Sequence, residues 1–275
     1  MTRHRINRLN RGMNAPRMLF GVFVVTLSFG ARLQAVDLPP ELPLWEKGSA
    51  DHAIRHDVKE QVRSATPAPG SPSGLNRAFS SVSSATYSIH LKYRTRPAQI
   101  GSKDAWQNYQ SAVQADGRQA IRILGKQVDD LGLQPNKIGI CGFSAGGHLA
   151  ISCALYAEPK LADAEVSGMP DFAGLFYPGI PDDISQVIES RTRTDSAGPA
   201  LCPFFIVNAR DDQLTPASKC VDFYASLLRA GVNAELHVFS KGAHGFGLGT
   251  GRGKSAAIWP SSFAAWLRDS NMIQD

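Results

Sequence analysis

The chain has 275 residues, 43% of them hydrophobic, which is enough to bury one substantial core and favours a single domain over two. Its formal charge of +5 suggests an acidic partner, but six arginines and no Asp, Glu or Lys fall within residues 1–35, so the remainder carries −1. That balance excludes a nucleic-acid-binding or basic membrane-surface protein, and four cysteines are far too few for a disulfide-built scaffold.

Residues 1–35 come first and read as a secretory signal peptide. Arg3, Arg5, Arg8, Arg11 and Arg17 precede an apolar run from Met18 to Phe29, and the small residues up to Ala35 follow as a cleavage site. The run is shorter than the ~20 apolar residues that span a bilayer, so export and cleavage are expected, without stable membrane insertion afterwards. The expected location is secreted or periplasmic. Residues 36–86 form an N-terminal segment that is partly irregular, with Pro67, Pro69, Gly70, Pro72 and Gly74 at its centre and no apolar periodicity from 60 to 86.

From residue 87 to 275 short apolar runs alternate with amphipathic stretches, the pattern of an α/β core with a mostly parallel sheet flanked by helices. Strands are expected at Tyr87 to Tyr93, Lys137 to Cys141, Phe172 to Tyr177, Phe204 to Asn208 and Ala234 to Phe239. A long helix is expected from Trp106 to Leu131 and another from Ala145 onward. A third is expected from Pro216 to Ala230, with Thr215 as its cap and Gly231 just past its end. Trp259, Phe263 and Trp266 have the spacing of core packing on a final helix. Cys141 and Cys153 are expected as buried thiols, a Cys202 to Cys220 bridge stays open, and no Cys/His cluster has zinc-site spacing.

The chemistry gathers at Gly142-Phe143-Ser144-Ala145-Gly146, which follows the apolar strand Ile138 to Cys141 and opens a helix. This is the setting of a nucleophile elbow: a sharp strained turn lifts Ser144 out of the sheet's end and onto a helix N-terminus. The Ala145 N–H is then one oxyanion-hole donor. Serine needs a base, and the base needs a carboxylate to fix its tautomer. His244 stands in a glycine-rich loop after the last strand, and Asp211 and Asp212 follow the strand before it. His52, His56, His90, His148 and His237 have bland alternatives as loop, strand or helix residues. Ser144, His244 and an Asp need no metal or organic cofactor.

The chain resembles secreted α/β-hydrolase esterases related to acetyl-xylan and feruloyl esterases and to the dienelactone-hydrolase and prolyl-oligopeptidase-like branches. The resemblance rests on Leu42-Pro43-Leu44-Trp45, Leu91-Lys92-Tyr93-Arg94 and Pro135 through Ala150. It continues in Pro170-Asp171-Phe172, Tyr177-Pro178-Gly179, Asp211 to Pro216, and Glu235 through Gly247. It implies Asp212 as the acid of a Ser144, Asp212, His244 triad, four residues before Pro216, with Asp211 as fallback. It implies hydrolysis of carboxylic esters through an acyl-enzyme, on a small ester or an acylated polysaccharide such as acetylated xylan. Similar enzymes carry an inner strand ending in a glycine-rich loop that supplies a second oxyanion donor. No such stretch is found here, so the expected sheet lacks one inner strand and its helix. That gap makes a catalytically impaired remnant one alternative. A peptidase of prolyl-oligopeptidase type is another, although such enzymes carry an upstream propeller for which this chain has no room.

Overall fold

The computed structural model describes residues 22–27, 41–42, 61–64, 86–92, 102–131, 133–156, 166–193, 200–249 and 253–273. Among the described residues eight strands form one sheet: β1 Val22–Leu27, β2 Glu41–Leu42, β3 Gln61–Ser64, β4 Thr86–Lys92, β5 Ile138–Phe143, β6 Ala173–Phe176, β7 Phe204–Ala209 and β8 Ala234–Phe239. The helices are α1 Lys103–Lys126, α2 Ala145–Leu155, α3 Ile184–Thr192, α4 Ala217–Arg229 and α5 Trp259–Asp269, the last preceded by a 3-10 turn at Lys254–Ile258. The strand order is β2-β3-β4-β1-β5-β6-β7-β8. Strands β5 to β8 are parallel to one another, and each needs a crossover helix, which α2, α3 and α4 provide.

Alternation along the parallel strands divides the core into two layers. Ile138, Ile140, Ala173, Leu175, Phe204 and Ile206 point to the face covered by α1 to α4. There they meet Ile121 and Leu124 of α1, Leu149 and Cys153 of α2, Ile188 of α3, and Phe223 and Leu227 of α4. The intervening residues Cys141, Phe143, Phe176, Phe205 and Val207 face α5, whose Trp259, Phe263 and Trp266 are buried as core. Phe176 lies 4.3 Å from the Trp259 ring and Phe205 lies 5.1 Å from Phe263, an aromatic layer that fixes α5 to the sheet. Because strands buried on both faces carry apolar residues continuously, β5, β6 and β7 are buried at every position.

The structure departs from the sequence reading in two N-terminal strands and in the ends of α1. Val22–Leu27, inside the run read as a signal peptide, is an inner strand between β4 and β5 and antiparallel to both. It occupies the inner position expected to be empty, so the sheet has no gap there. Gln61–Ser64, placed in the irregular segment, pairs with β4 as β3. All four cysteines are free and buried, in line with the expected thiols, and the bridge left open between Cys202 and Cys220 is not formed. Helix α1 also starts at Lys103 rather than Trp106, because Ser102 caps it by accepting the Ala105 N–H at 3.1 Å, and it ends at Lys126 rather than Leu131. The irregular Pro67 to Gly74 stretch and His52 and His56 lie outside the described residues, as do Ala35 and the remaining residues of the leader. No helix among the described residues is long and apolar enough to cross a membrane.

Candidate active site

Strand β5 runs straight into α2 with only Ser144 between them, and the turn forces Ser144 to φ 55°, ψ −116°. A non-glycine residue there stores strain of order 1–3 kcal/mol, held by its surroundings. Three backbone bonds hold it: the Ser144 N–H donates to Phe176 O at 3.0 Å, and the Ser144 carbonyl accepts from Gly179 N–H and His148 N–H, both at 3.2 Å. Gly142 and Gly147 are glycines for lack of room. A Cβ at Gly142 would lie 2.0 Å from Gly146 O, and one at Gly147 2.6 Å from the Pro178 Cβ. The Ala145 N–H heads α2, where a helix leaves its first amides without intrahelical acceptors.

The turn after β8 brings His244 to Ser144. Its Nε2 lies 2.7 Å from Ser144 Oγ, and its Nδ1 lies 2.8 Å from Asp212 Oδ2. Ser144, Asp212 and His244 are all buried. The Asp212 carboxylate is saturated with donors: Oδ1 accepts the Leu214 and Thr215 N–H groups at 2.9 Å each, and Oδ2 accepts the Thr215 hydroxyl at 2.8 Å. Asp211 has a different task. Its Oδ1 accepts the Ala243 N–H at 2.8 Å, fastening the loop that carries His244 at a residue of positive φ, 52°. That amide bond holds the Asp211 carboxyl below its usual range. The two neighbouring aspartates, indistinguishable by type, are thus separated by geometry: Asp212 meets the imidazole, Asp211 the backbone beside it. From the other side, Trp259 Nε1 donates to Gly247 O at 2.8 Å and ties the same loop to α5.

Two side chains at the site escaped the sequence reading. Tyr177 follows β6 with φ 40°, a rare conformation for an aromatic residue. Its ring stands edge-on to His244 at 5.3 Å, and Phe246 packs on its other side at 4.8 Å. Burial raises its phenol to about 12, so it stays protonated. The second is Thr215, expected to cap α4. Pro216 holds the cap position, no side chain caps the helix, and the Thr215 hydroxyl turns to Asp212 instead. A Thr before a Pro is an ordinary helix start, which hid it; the only available signal was its position three residues after Asp212.

The remaining histidines are elsewhere. His148 sits one turn into α2 with Nδ1 3.2 Å from Gly179 O and Nε2 3.5 Å from Gln110 Nε2. Burial lowers its pKa, so it is held neutral. His237 pairs with Glu235 at 2.6 Å on β8. No group of three or more His, Cys, Asp or Glu able to hold a metal occurs among the described residues. Burial raises the thiols of Cys141 and Cys202, and that of Cys220 to about 11, leaving them unsuited to nucleophilic work.

Comparison with known proteins bears on the family and the fold. Residues 90–267 match the Dienelactone hydrolase family. An acetylxylan esterase of Xylanibacter ruminicola is 30% identical over 159 residues, covering 49% of this chain and 31% of its own length. Endo-1,4-beta-xylanase B of Butyrivibrio fibrisolvens is 26% identical over 152 residues, covering 47% of this chain and 24% of its own. The chain thus spans less than a third of each of these curated relatives. Among solved structures, an acetyl ester-xyloside bifunctional hydrolase from Caldicellulosiruptor lactoaceticus superposes with a TM-score of 0.64 at 23% identity, covering 85% of this chain and 97% of that one. A butyrate-bound thermophilic esterase of Thermogutta terrifontis gives 0.57 at 22% identity, covering 80% and 92%. At these identities the likeness establishes the fold, that of the α/β-hydrolases.

Proposed function

We propose that this chain, which belongs to the dienelactone hydrolase family, is a serine esterase that cleaves carboxylic esters through an acyl-enzyme, with acyl groups on a polysaccharide such as acetylated xylan as substrate. The observation that carries the reading is the continuous chain from Ser144 Oγ to His244 Nε2 and from Nδ1 to Asp212 Oδ2, at 2.7 and 2.8 Å. In that chain His244 carries its proton on Nδ1 and turns the Nε2 lone pair to the serine hydroxyl. As Ser144 Oγ attacks the ester carbonyl, Nε2 takes the hydroxyl proton, and Asp212 stabilises the imidazolium that forms. The negative charge growing on the carbonyl oxygen meets the Ala145 N–H and the N-terminal dipole of α2. Nε2 then returns the proton to the leaving alcohol. Water, deprotonated by the same nitrogen, attacks the acyl-serine; Nε2 then gives that proton to the departing Ser144 Oγ, which releases the acid and restores the free serine.

The substrate class is carried by the relatives: one is named for acetylxylan and a structural neighbour for acetyl esters and xylosides. Export is supported by the arginines and apolar run of residues 1–35. Cleavage after Ala35 would remove β1 from the sheet, so the intact mass of protein recovered outside the cytoplasm reports which fate the segment meets. A second reading, an esterase of reduced turnover, is favoured by the register of β1. Val22 pairs with Gly142 and Thr26 with Ile138, so the chain leaves β1 at the end of β5 remote from Ser144. In similar enzymes the second oxyanion donor comes from the loop that follows the inner strand, and one such donor is worth ~100- to 1,000-fold.

The proposal is tested by incubating the full chain with a p-nitrophenyl alkylphosphonate and with acetylated xylan. One label per chain on the Ser144 peptide, together with acetate release, is expected. Acetate release that persists in Ser144→Ala, or a labelled residue other than Ser144, would overturn it.

A further inference from the structure

We propose that Thr215 is a positioning residue of this ester hydrolysis, a fourth member of the chain whose hydroxyl holds Asp212 and fixes the tautomer of His244. The inference rests on the reading of Ser144, His244 and Asp212 given above. One small side chain gathers three partners at its hydroxyl. Thr215 Oγ1 lies 2.8 Å from Asp212 Oδ2, 3.1 Å from Tyr177 O and 3.2 Å from His244 Nδ1. Its amide donates to Asp212 Oδ1 at 2.9 Å, and its carbonyl accepts the Asn208 Nδ2 amide at 2.8 Å. The residue therefore touches both oxygens of the carboxylate and is itself pinned at its backbone.

A hydroxyl has one proton to give and lone pairs with which to accept. Two of the three neighbours, Asp212 Oδ2 and Tyr177 O, can only accept from it. The shorter contact goes to the carboxylate, and a bond to a charged oxygen is the stronger one. With its proton committed on that side, Oγ1 can meet His244 Nδ1 only as an acceptor. Nδ1 then faces two oxygens, Asp212 Oδ2 and Thr215 Oγ1, and neither offers it a proton. The ring must carry hydrogen on Nδ1, which leaves the Nε2 lone pair for Ser144.

The alternative, a helix cap that lies near the site by chance, does not fit the contacts. Helix α4 receives no side-chain cap, so the hydroxyl has been withdrawn from the use its sequence position suggests. Tyr177, whose carbonyl lies 3.1 Å from Oγ1, has φ 40° and its own N–H anchored to Val207 O at 2.7 Å. The surroundings that hold Tyr177 in this strained conformation thus place its carbonyl beside Oγ1, where it is the weaker competitor for the proton given to Asp212.

The test compares the full chain with Thr215→Val, which keeps shape, β-branching and the amide but has no hydroxyl, and with Thr215→Ser, which restores it. With p-nitrophenyl acetate, Thr215→Val is expected to lower kcat about 10- to 100-fold with KM changed less than about 2-fold, and Thr215→Ser to stay within about 3-fold of wild type. In an Asp212→Asn background the same Val substitution should cost less than about 2-fold, because the hydroxyl acts through the carboxylate. An unchanged kcat in Thr215→Val overturns the inference, as does an equal loss in Thr215→Ser or an undiminished loss beside Asp212→Asn. If Thr215→Val does not unfold cooperatively, Thr215→Ala against Thr215→Ser carries the same expectations. A wild type no faster than Ser144→Ala overturns the parent reading as well; a wild type well above it, with Thr215→Val unaffected, overturns the role of Thr215 alone.

Discussion

Gly142→Ala tests how tightly the elbow couples packing to chemistry. The added Cβ would stand 2.0 Å from Gly146 O, 2.2 Å from Gly146 C and 2.6 Å from Gly147 N. Ordinary contact begins near 3.4 Å, so the first turn of α2 must retreat by about 1.4 Å. No flexible side chain can absorb this, because every atom met belongs to the backbone. That backbone bears Ala145 and its N–H and follows directly on Ser144. Overpacking of this kind costs about 1–3 kcal/mol or more in stability, and displacing a reacting group by about 1 Å lowers the rate on the order of 100-fold. Urea unfolding should show the stability loss, and p-nitrophenyl acetate hydrolysis should show kcat reduced by about that factor in the fraction that remains folded. Gly245→Ala is the control: it has φ +74° but nothing within 4 Å, so it should lose about 1–2 kcal/mol from backbone strain alone. Wild-type stability and turnover in Gly142→Ala would refute the reasoning, since α2 would then not press on the elbow as described.

Further outcomes follow from other parts of the structure. Asp212→Asn should lower kcat on the order of 1,000- to 10,000-fold by disturbing the tautomer of His244, whereas Asp211→Asn keeps an oxygen for the Ala243 amide and should stay within about 3-fold. Steady-state kinetics of the two neighbours would expose a mistaken assignment if the losses were reversed. His148 has its pKa lowered from 6.5 by burial, so below that pH the unfolded chain binds the proton first and stability falls as pH drops toward the native value. Thermal unfolding at pH 7 and pH 5 should show this loss, and His148→Gln should diminish it. Removal of residues 1–35 takes out the strand between β4 and β5 and leaves both without a ladder partner on that side. The chain 36–275 should therefore aggregate more readily than 1–275, as light scattering would show; equal solubility and cooperativity would mean that Val22–Leu27 is dispensable to the sheet.

The parallel half of the fold was legible because each of its strands is a short apolar run of sharply different character from the helices beside it. Phe204 to Asn208 and Ala234 to Phe239 lie within a residue of their observed ends for that reason. The elbow was legible because Ser144 requires small neighbours, and Gly142, Ala145, Gly146 and Gly147 meet that need in adjacent positions. The antiparallel half was not. An apolar run such as Val22 to Leu27 has the same composition whether a membrane machinery or a sheet receives it, and only pairing partners 59 or more residues away in sequence distinguish the two. Gln61–Ser64 carries no periodicity in four residues and is a strand by virtue of β4. The same limit hid Thr215 and Tyr177, whose roles are set by the turn that folds Asp212 back on itself and by a backbone angle that an aromatic residue does not advertise.

The central claim, that Ser144 is the nucleophile of an esterase, is tested most directly by p-nitrophenyl acetate hydrolysis in the full chain and in Ser144→Ala. Because the serine only loses an oxygen, the variant should unfold as the wild type does. The account predicts turnover in the wild type and its reduction to the background rate in the variant. Equal rates in two equally folded proteins would contradict it.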